Sequence, residues 1–531
     1  MITKFGVKNF KRFEDTGMIQ FSDITLLVGP NNSGKSSFIK ALILMNENIA
    51  HQDKSIYLDG LTFALHSTTG NNINLGTFNR VVNDKASKRE ITLCAEFKDC
   101  NTDRSRLIEI DIESRDSQEY FGGMRNIKVR DVLNEIDTYE FDFSGDIATI
   151  HIPYDKFINV FSQLNISDIV NRREAEREQF CPAFEEGILA GDTNLDCTPL
   201  PIVNIDNNGN GSIVIGNRWN SVCVKKGFAL VDVFCTREDR NDMISSLIAG
   251  INVNPYSKVP YGSPISEEML DASFRFGYNR DAIDLYLKDY RDIAHKSLVH
   301  IEFIHAHSIT NKVFFTIADR NDYVARTLHE AYLTRSLFGE NVQFIKYWLT
   351  KFNIGEGIEI RRHEGDGYTV KIVGSDGTSK NLADIGTGAG HLILLLIKVA
   401  TIIKTHKTDN VLLVLEEPEQ NMHPNYQSLL ADLFFALQQN GIKLLIETHS
   451  EYLIRRSQVI VAKFSSENNY TQENLDKENP FRVVYFPESG KPYDMHYKVN
   501  GDFEHLFGEG FFDAAAKNRV ELYKMQLDQN R

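Results

Sequence analysis

The run Gly29-Pro30-Asn31-Asn32-Ser33-Gly34-Lys35-Ser36, continued by Ser37, constrains this chain more than any other stretch. The apolar residues 24–28 before it read as a buried strand, and residues 36–45 after it read as a helix. Backbone N–H groups in such a turn, with a helix N-terminus behind them, form a ready seat for phosphate. Lys35 is then placed for the β- and γ-phosphates of a nucleotide and the Ser36 hydroxyl for Mg²⁺. Gly29 and Gly34 allow backbone angles and a close approach that a Cβ would block. The bland reading, a Gly/Asn-rich turn with a stray lysine, does not account for strand, loop and helix agreeing.

Three later segments have matching chemistry. Residues 411–415 are an apolar run ending in Glu416-Glu417-Pro418-Glu419, a buried strand that delivers carboxylates at its tip. Glu416 takes the metal-side position, and Glu417 is placed to orient or deprotonate an attacking water. Residues 443–447 form a second such strand, ending in Thr448-His449-Ser450; His449 would reach the γ-phosphate or the water, or else would merely cap a surface turn. Asp384-Ile385-Gly386-Thr387-Gly388-Ala389-Gly390-His391 is a Gly-rich turn before an apolar helix. Turns of that kind are common, and only its place in the order of the four segments gives it weight.

The 531 residues suffice for two or three domains, and 42% hydrophobic with 25% charged residues is ordinary globular composition. The net charge of −15 argues against a surface that coats duplex DNA, so any nucleic-acid contact belongs to a local patch or a partner. The small basic clusters Lys8/Lys11/Arg12, Arg172/Arg173, Arg361/Arg362 and Arg455/Arg456 read as solvated faces. No apolar run reads as long enough to span a bilayer, the N-terminus enters a strand pattern without a signal-peptide layout, and the six scattered cysteines fit a reducing cytoplasm.

Residues 1–152 read as short strands around one strong helix. Residues 153–300 read as a mainly helical insertion, with helices near 156–161, 166–184 and 269–298 and a loop or hairpin at 204–217. From 301 to 531 the α/β pattern returns, with one helix through 328–352, others at 392–403 and 425–439, and buried strands at 411–415 and 443–447. Fully apolar strands alternating with helices imply a parallel sheet covered on both faces.

On the phosphate loop, Glu416-Glu417-Pro418-Glu419, Met422-His423-Pro424, Glu447-Thr448-His449-Ser450 and the opening Phe5-Gly6-Val7-Lys8-Asn9-Phe10-Lys11-Arg12-Phe13, the chain resembles ABC-class ATPases of the SMC, RecF and OLD kind over roughly residues 1–100 and 300–515. The closing Gly508-Glu509-Gly510-Phe511-Phe512-Asp513 looks most similar to the Septu ATPases of antiphage defence, including their retron-associated form, which work with a separate HNH nuclease. The resemblance implies an ABC-type ATPase head: a mixed or parallel sheet flanked by helices, with an antiparallel β-subdomain and a helical insertion. It implies a homodimer or higher oligomer that sandwiches ATP and Mg²⁺. Gly388, Gly390 and His391 would contact the γ-phosphate in trans, and Asp384 and Gly386 would shape their loop. Glu416 stands where Asp is usual, Gly390 where a Ser hydroxyl is usual, and His391 where Gln is commoner; these departures predict slow turnover. His305, His307 and Ser308 stand roughly where a Gln-containing loop is expected, and read as ordinary strand-end residues. The Toprim nuclease of full-length OLD enzymes needs more chain than the roughly 80 residues after His449 and an Asp-x-Asp that they lack, so no nuclease activity is expected here. A RecF-like ATPase that binds DNA directly and a nucleotide-locked scaffold remain as alternatives.

Overall fold

The computed structural model describes residues 2–50, 62–67, 73–98, 105–114, 120–132 and, with short gaps, 300–507, together with the backbone of six strands between 138 and 234 and a few residues after 518. The phosphate-loop strand Ile24–Val28 is the fourth of six strands in a sheet ordered His300–Ile304, Val411–Glu416, Lys443–Glu447, Ile24–Val28, Phe481–Tyr485, Tyr493–Asp494. The first five run parallel and the last is an antiparallel edge. Parallel pairing brings the C-terminal tips of neighbouring strands to one edge, the usual place for a ligand in open α/β sheets. Both faces of the sheet are buried. Leu26, Val28, Leu413 and Leu415 point into one core with the helices Tyr323–Thr334, Asn341–Lys351, Thr387–Lys404, Pro424–Gln439 and Glu451–Glu467. Leu27, Leu412, Val414 and Leu445 point into the other, with helix Lys35–Ala50 and the β-subdomain. This alternation of two apolar faces explains why the strands read as unbroken hydrophobic runs.

The β-subdomain is a 13-stranded antiparallel sheet. Its path runs from Phe13–Asp15 and Ile2–Phe10 through Glu90–Lys98, Ser105–Ser114, Phe121–Asp131, Thr138–Asp142 and Ile147–Pro153. It then continues through Phe228–Phe234, Ser221–Lys225, Gly211–Val214 and Ile202–Ile205. The boundary expected at 152/153 is therefore not a boundary of this sheet, because Ile147–Pro153 pairs along its whole length with Phe228–Phe234. The described residues of the expected helical insertion are four strands, two of which form the hairpin expected at 204–217. The helices expected at 156–161, 166–184 and 269–298 lie outside the described residues.

Two further expectations need correction. The helix expected through 328–352 is two helices, Tyr323–Thr334 and Asn341–Lys351. Arg335 closes the first in the left-handed region (φ 52°) and Gly339 adds a second left-handed residue (φ 73°), which breaks the helical run. Helix Thr387–Lys404 has the length and apolar composition of a membrane span, contrary to the reading that no run does; 72% of it is buried inside the fold, where it packs in the larger core. A third, four-stranded sheet (Phe315–Thr316, Gly367–Val373, Gly357–His363, Ser379–Asn381) packs against helices Tyr323–Thr334 and Asn341–Lys351 and the turn Leu382–Asp384 that precedes that helix.

Candidate functional site

The phosphate loop leaves its strand at Gly29 and enters helix Lys35–Ala50. Gly29 (φ 149°) passes so close to Phe486 that a Cβ would meet the Phe486 carbonyl oxygen at 2.2 Å, and Gly34 (φ 94°) has the Phe13 ring where its Cβ would be. Asn32 is also left-handed, at φ 61°. Lys35 is buried, and its Nζ donates to the carbonyls of Gly29 (3.1 Å) and Pro30 (3.0 Å) and to Ser33 Oγ (3.3 Å). Burial lowers its pKa, while Glu447, Glu417 and Glu419 hold it up. A buried ammonium needs such acceptors, since an unsatisfied one is costly.

The acidic and histidine strands end beside this loop. Glu417 follows its strand in the left-handed region (φ 44°), and its N–H donates to the Glu447 carbonyl at 2.9 Å. A non-glycine residue in that region is a strained turn. Here the turn sets Glu417 Oε1 3.6 Å from His449 Nε2. His449 is held from its backbone: its N–H donates to Glu419 Oε1 at 2.7 Å, and Ser450 caps the next helix by accepting from Leu453 N at 3.2 Å. Burial, and then Lys35, push the His449 pKa down to about 4, so the imidazole is neutral near pH 7. Burial raises the Glu419 pKa, and its Oε2 has no hydrogen-bond partner.

Lys35, Ser36, Glu416, Glu417 and His449 are all brought to this edge, but their pairings differ from the sequence expectation. Ser36 Oγ donates to Glu447 Oε1 at 2.8 Å, not to Glu416. Glu416 instead lies 3.2 Å from His305 Nδ1 and 3.7 Å from Lys40 Nζ. Sequence reasoning missed Glu447 because it followed the apolar strand without asking which strand lay beside Ile24–Val28; the parallel register Glu447↔Leu27 supplies the answer. It also read His305 as an ordinary strand-end residue. Strand His300–Ile304 pairs in register with the acidic strand, which brings His305 to Glu416; His307 and Ser308 lie outside the described residues.

Arg12 corrects the reading of the first basic cluster as a solvated face. Its guanidinium donates to Asn32 O at 3.0 Å, to Pro487 O at 3.1 Å and to Glu488 O, bracing the phosphate loop from the β-subdomain. Of the later pairs, Arg361 and Arg455 are exposed and Arg456 is clamped bidentately by Asp432, while Arg172 and Arg173 lie outside the described residues.

The signature-like segment opens helix Thr387–Lys404. Asp384 closes a short 3₁₀ turn and accepts from Asn381 Nδ2 at 3.2 Å. Gly386 caps the helix and Gly390 N donates to its carbonyl at 3.1 Å. A Cβ on Gly388 would meet the Asn421 carbonyl oxygen at 2.5 Å, so glycine is required where this segment packs on the turn after the acids. His391 is half-buried on the same first turn.

A phosphate loop, a strand with two terminal acids and a strand with a terminal histidine at one edge of a parallel sheet define a nucleotide-binding α/β ATPase head. The AAA ATPase domain family matches residues 1–183 and 281–454, well over half of the chain. The chain belongs to that family and is an ATP-binding ATPase of its kind. No curated protein matches it. Among solved structures it is similar to an Smc head bound to the C-terminal winged-helix domain of ScpA, with 10% identity, a TM-score of 0.38, and 95% of this chain and 97% of that one covered. It is also similar to the SMC head domain of Thermotoga maritima, with 12% identity, a TM-score of 0.29, and 96% and 99% covered. A Pyrococcus furiosus Smc head bound to the C-terminal domain of ScpA gives 11% identity, a TM-score of 0.34, and 99% of each chain covered.

Proposed function

We propose that this chain is a cytoplasmic, slowly hydrolysing ATPase that dimerises around Mg-ATP and gates a separate effector nuclease in antiphage defence, as Septu ATPases do. The observation that carries the nucleotide part is the convergence on one sheet edge of a left-handed phosphate loop, buried Lys35, Ser36 and the tips of both acidic strands. The residues fit the expected ligand: Glu447, which accepts from the Ser36 hydroxyl through Oε1, has a second, buried carboxylate oxygen without a hydrogen-bond partner, which a cation would satisfy. Residues 29–37 would hold the phosphates, Ser36 with the neighbouring carboxylates would hold Mg²⁺, and bound Mg²⁺ would neutralise phosphate charge. Glu417 is the residue to accept a proton from the attacking water, and neutral His449 beside it orients that water. Asp384, Gly386, Gly388, Gly390 and His391 would close the site of a second copy. The absence of a hydroxyl at Gly390 and the longer side chain of Glu416 support slow turnover.

Phosphate release tests this directly. Glu417→Gln retains ATP binding and loses turnover by about 10²-fold or more, the usual range for removing a general base; Lys35→Ala loses binding. Equal turnover in Glu417→Gln and wild type contradicts the assignment. Adding the product of a neighbouring nuclease gene and titrating ATP tests the gating role: cleavage that ignores ATP counts against it. DNA cutting by this chain alone in Mg²⁺ or Mn²⁺ contradicts the division of labour.

A further inference from the structure

Glu447 is the carboxylate that the motifs leave without a role. Its side chain is only 3% exposed. Oε1 accepts from Ser36 Oγ at 2.8 Å, with Lys35 Nζ 3.9 Å away. Oε2 is buried and has no hydrogen-bond partner. One ligand atom from each of Glu417, Glu447 and His449 lies within 4.8 Å of the others. A carboxylate buried with half its lone pairs unused is an unstable arrangement unless a cation completes it. Two carboxylates, a hydroxyl and one imidazole suit a small divalent ion that prefers oxygen, Mg²⁺ or Mn²⁺.

We infer that Glu447, with Glu417 and His449 around it, forms a divalent-cation seat beside Ser36 that exists before nucleotide arrives. Glu447 rather than Glu416 is then the principal protein carboxylate on the metal. Glu416 lies against His305 and Lys40 and acts as a positioning residue. Ser36 Oγ, which donates to Glu447 in this structure, keeps its lone pairs free to face the cation while that hydrogen bond stands. The inference rests on the nucleotide reading for its purpose, but its geometry uses side chains alone.

The test is Mn²⁺ uptake by nucleotide-free full-length protein, read as loss of the free-ion electron paramagnetic resonance signal. Fluorescent ATP-analogue binding in EDTA is measured in parallel. Wild type takes up Mn²⁺ with no nucleotide present. Glu447→Gln weakens that uptake by about tenfold or more, as loss of a ligand or its close support does. Glu416→Gln stays close to wild type in Mn²⁺ uptake. His449→Gln, at a more exposed position than Glu447, also weakens uptake and serves if Glu447→Gln melts below wild type. Wild-type Mn²⁺ affinity in both Glu447→Gln and His449→Gln overturns the seat. So does a larger loss in Glu416→Gln than in Glu447→Gln, or no uptake by wild type without nucleotide. Mn²⁺ uptake by a wild-type chain that binds no ATP analogue supports the seat and overturns the nucleotide reading; analogue binding without Mn²⁺ uptake does the reverse.

Discussion

Glu447 and His449 sit two residues apart and titrate in opposite senses. Burial raises Glu447 from 4.5 to about 7, against the pull of Ser36 and Lys35. Between those values the folded chain keeps a proton that the unfolded chain has lost, so this group's contribution to stability falls as pH rises through the window. Burial lowers His449 from 6.5 to about 4. Between those values the unfolded chain binds the extra proton, so stability rises with pH. The two slopes largely offset each other between pH 4.5 and 6.5 in metal-free protein. Glu447→Gln removes the falling one. Thermal melts in EDTA then show a steeper rise from pH 4.5 to 6.5 than wild type, and at pH 8 the variant is the more stable by roughly 1–3 kcal/mol. Melting curves that superimpose on wild type across this range contradict the burial of an ionisable Glu447. Much of this residue-scale chemistry was legible in sequence: the loop, Glu416, Glu417 and His449 are local motifs. The bonds Ser36–Glu447, His305–Glu416 and Arg12–Asn32 were not, because each joins residues more than a hundred positions apart or in separate elements. Strand order and register decide them, and neither is written in a local pattern.

At the scale of elements, helix Thr387–Lys404 connects the signature-like turn to the core. Its Lys398 is buried and ion-paired to Glu302 of strand His300–Ile304 at 2.9 Å and to Glu330 of helix Tyr323–Thr334 at 2.8 Å. Burial alone would depress the lysine, but Glu302, Tyr323 and Glu330 raise it above its ordinary value. Removing one partner of a buried pair leaves the other desolvated. Lys398→Met is therefore predicted to cost about 3–5 kcal/mol, and Lys398→Met with Glu302→Gln to recover part of it. Denaturant unfolding of the two variants checks this, and additive losses contradict it. The apolar strands and this helix were readable from periodicity. The break at Arg335–Gly339 was not, since it depends on two left-handed residues inside an otherwise helical pattern. Nor were strands Ser221–Lys225 and Phe228–Phe234, which join the sheet through the pairing of Phe228–Phe234 onto Ile147–Pro153.

For the whole molecule, the parallel sheet gathers five strand tips at one edge, and the antiparallel sheet braces that edge through Arg12 and Phe13. The phosphate loop, the two acids and the histidine all lie there. The signature-like turn packs on Asn421 at the start of its own helix. The most direct measurement of this account is a structure of the Glu417→Gln variant with Mg-ATP. The account predicts two copies around each nucleotide, with residues 29–37 of one protomer on the phosphates and the partner's segment 386–391 within hydrogen-bond reach of the γ-phosphate. Nucleotide bound in the loop with segment 386–391 of every neighbouring copy far from it would contradict the claim.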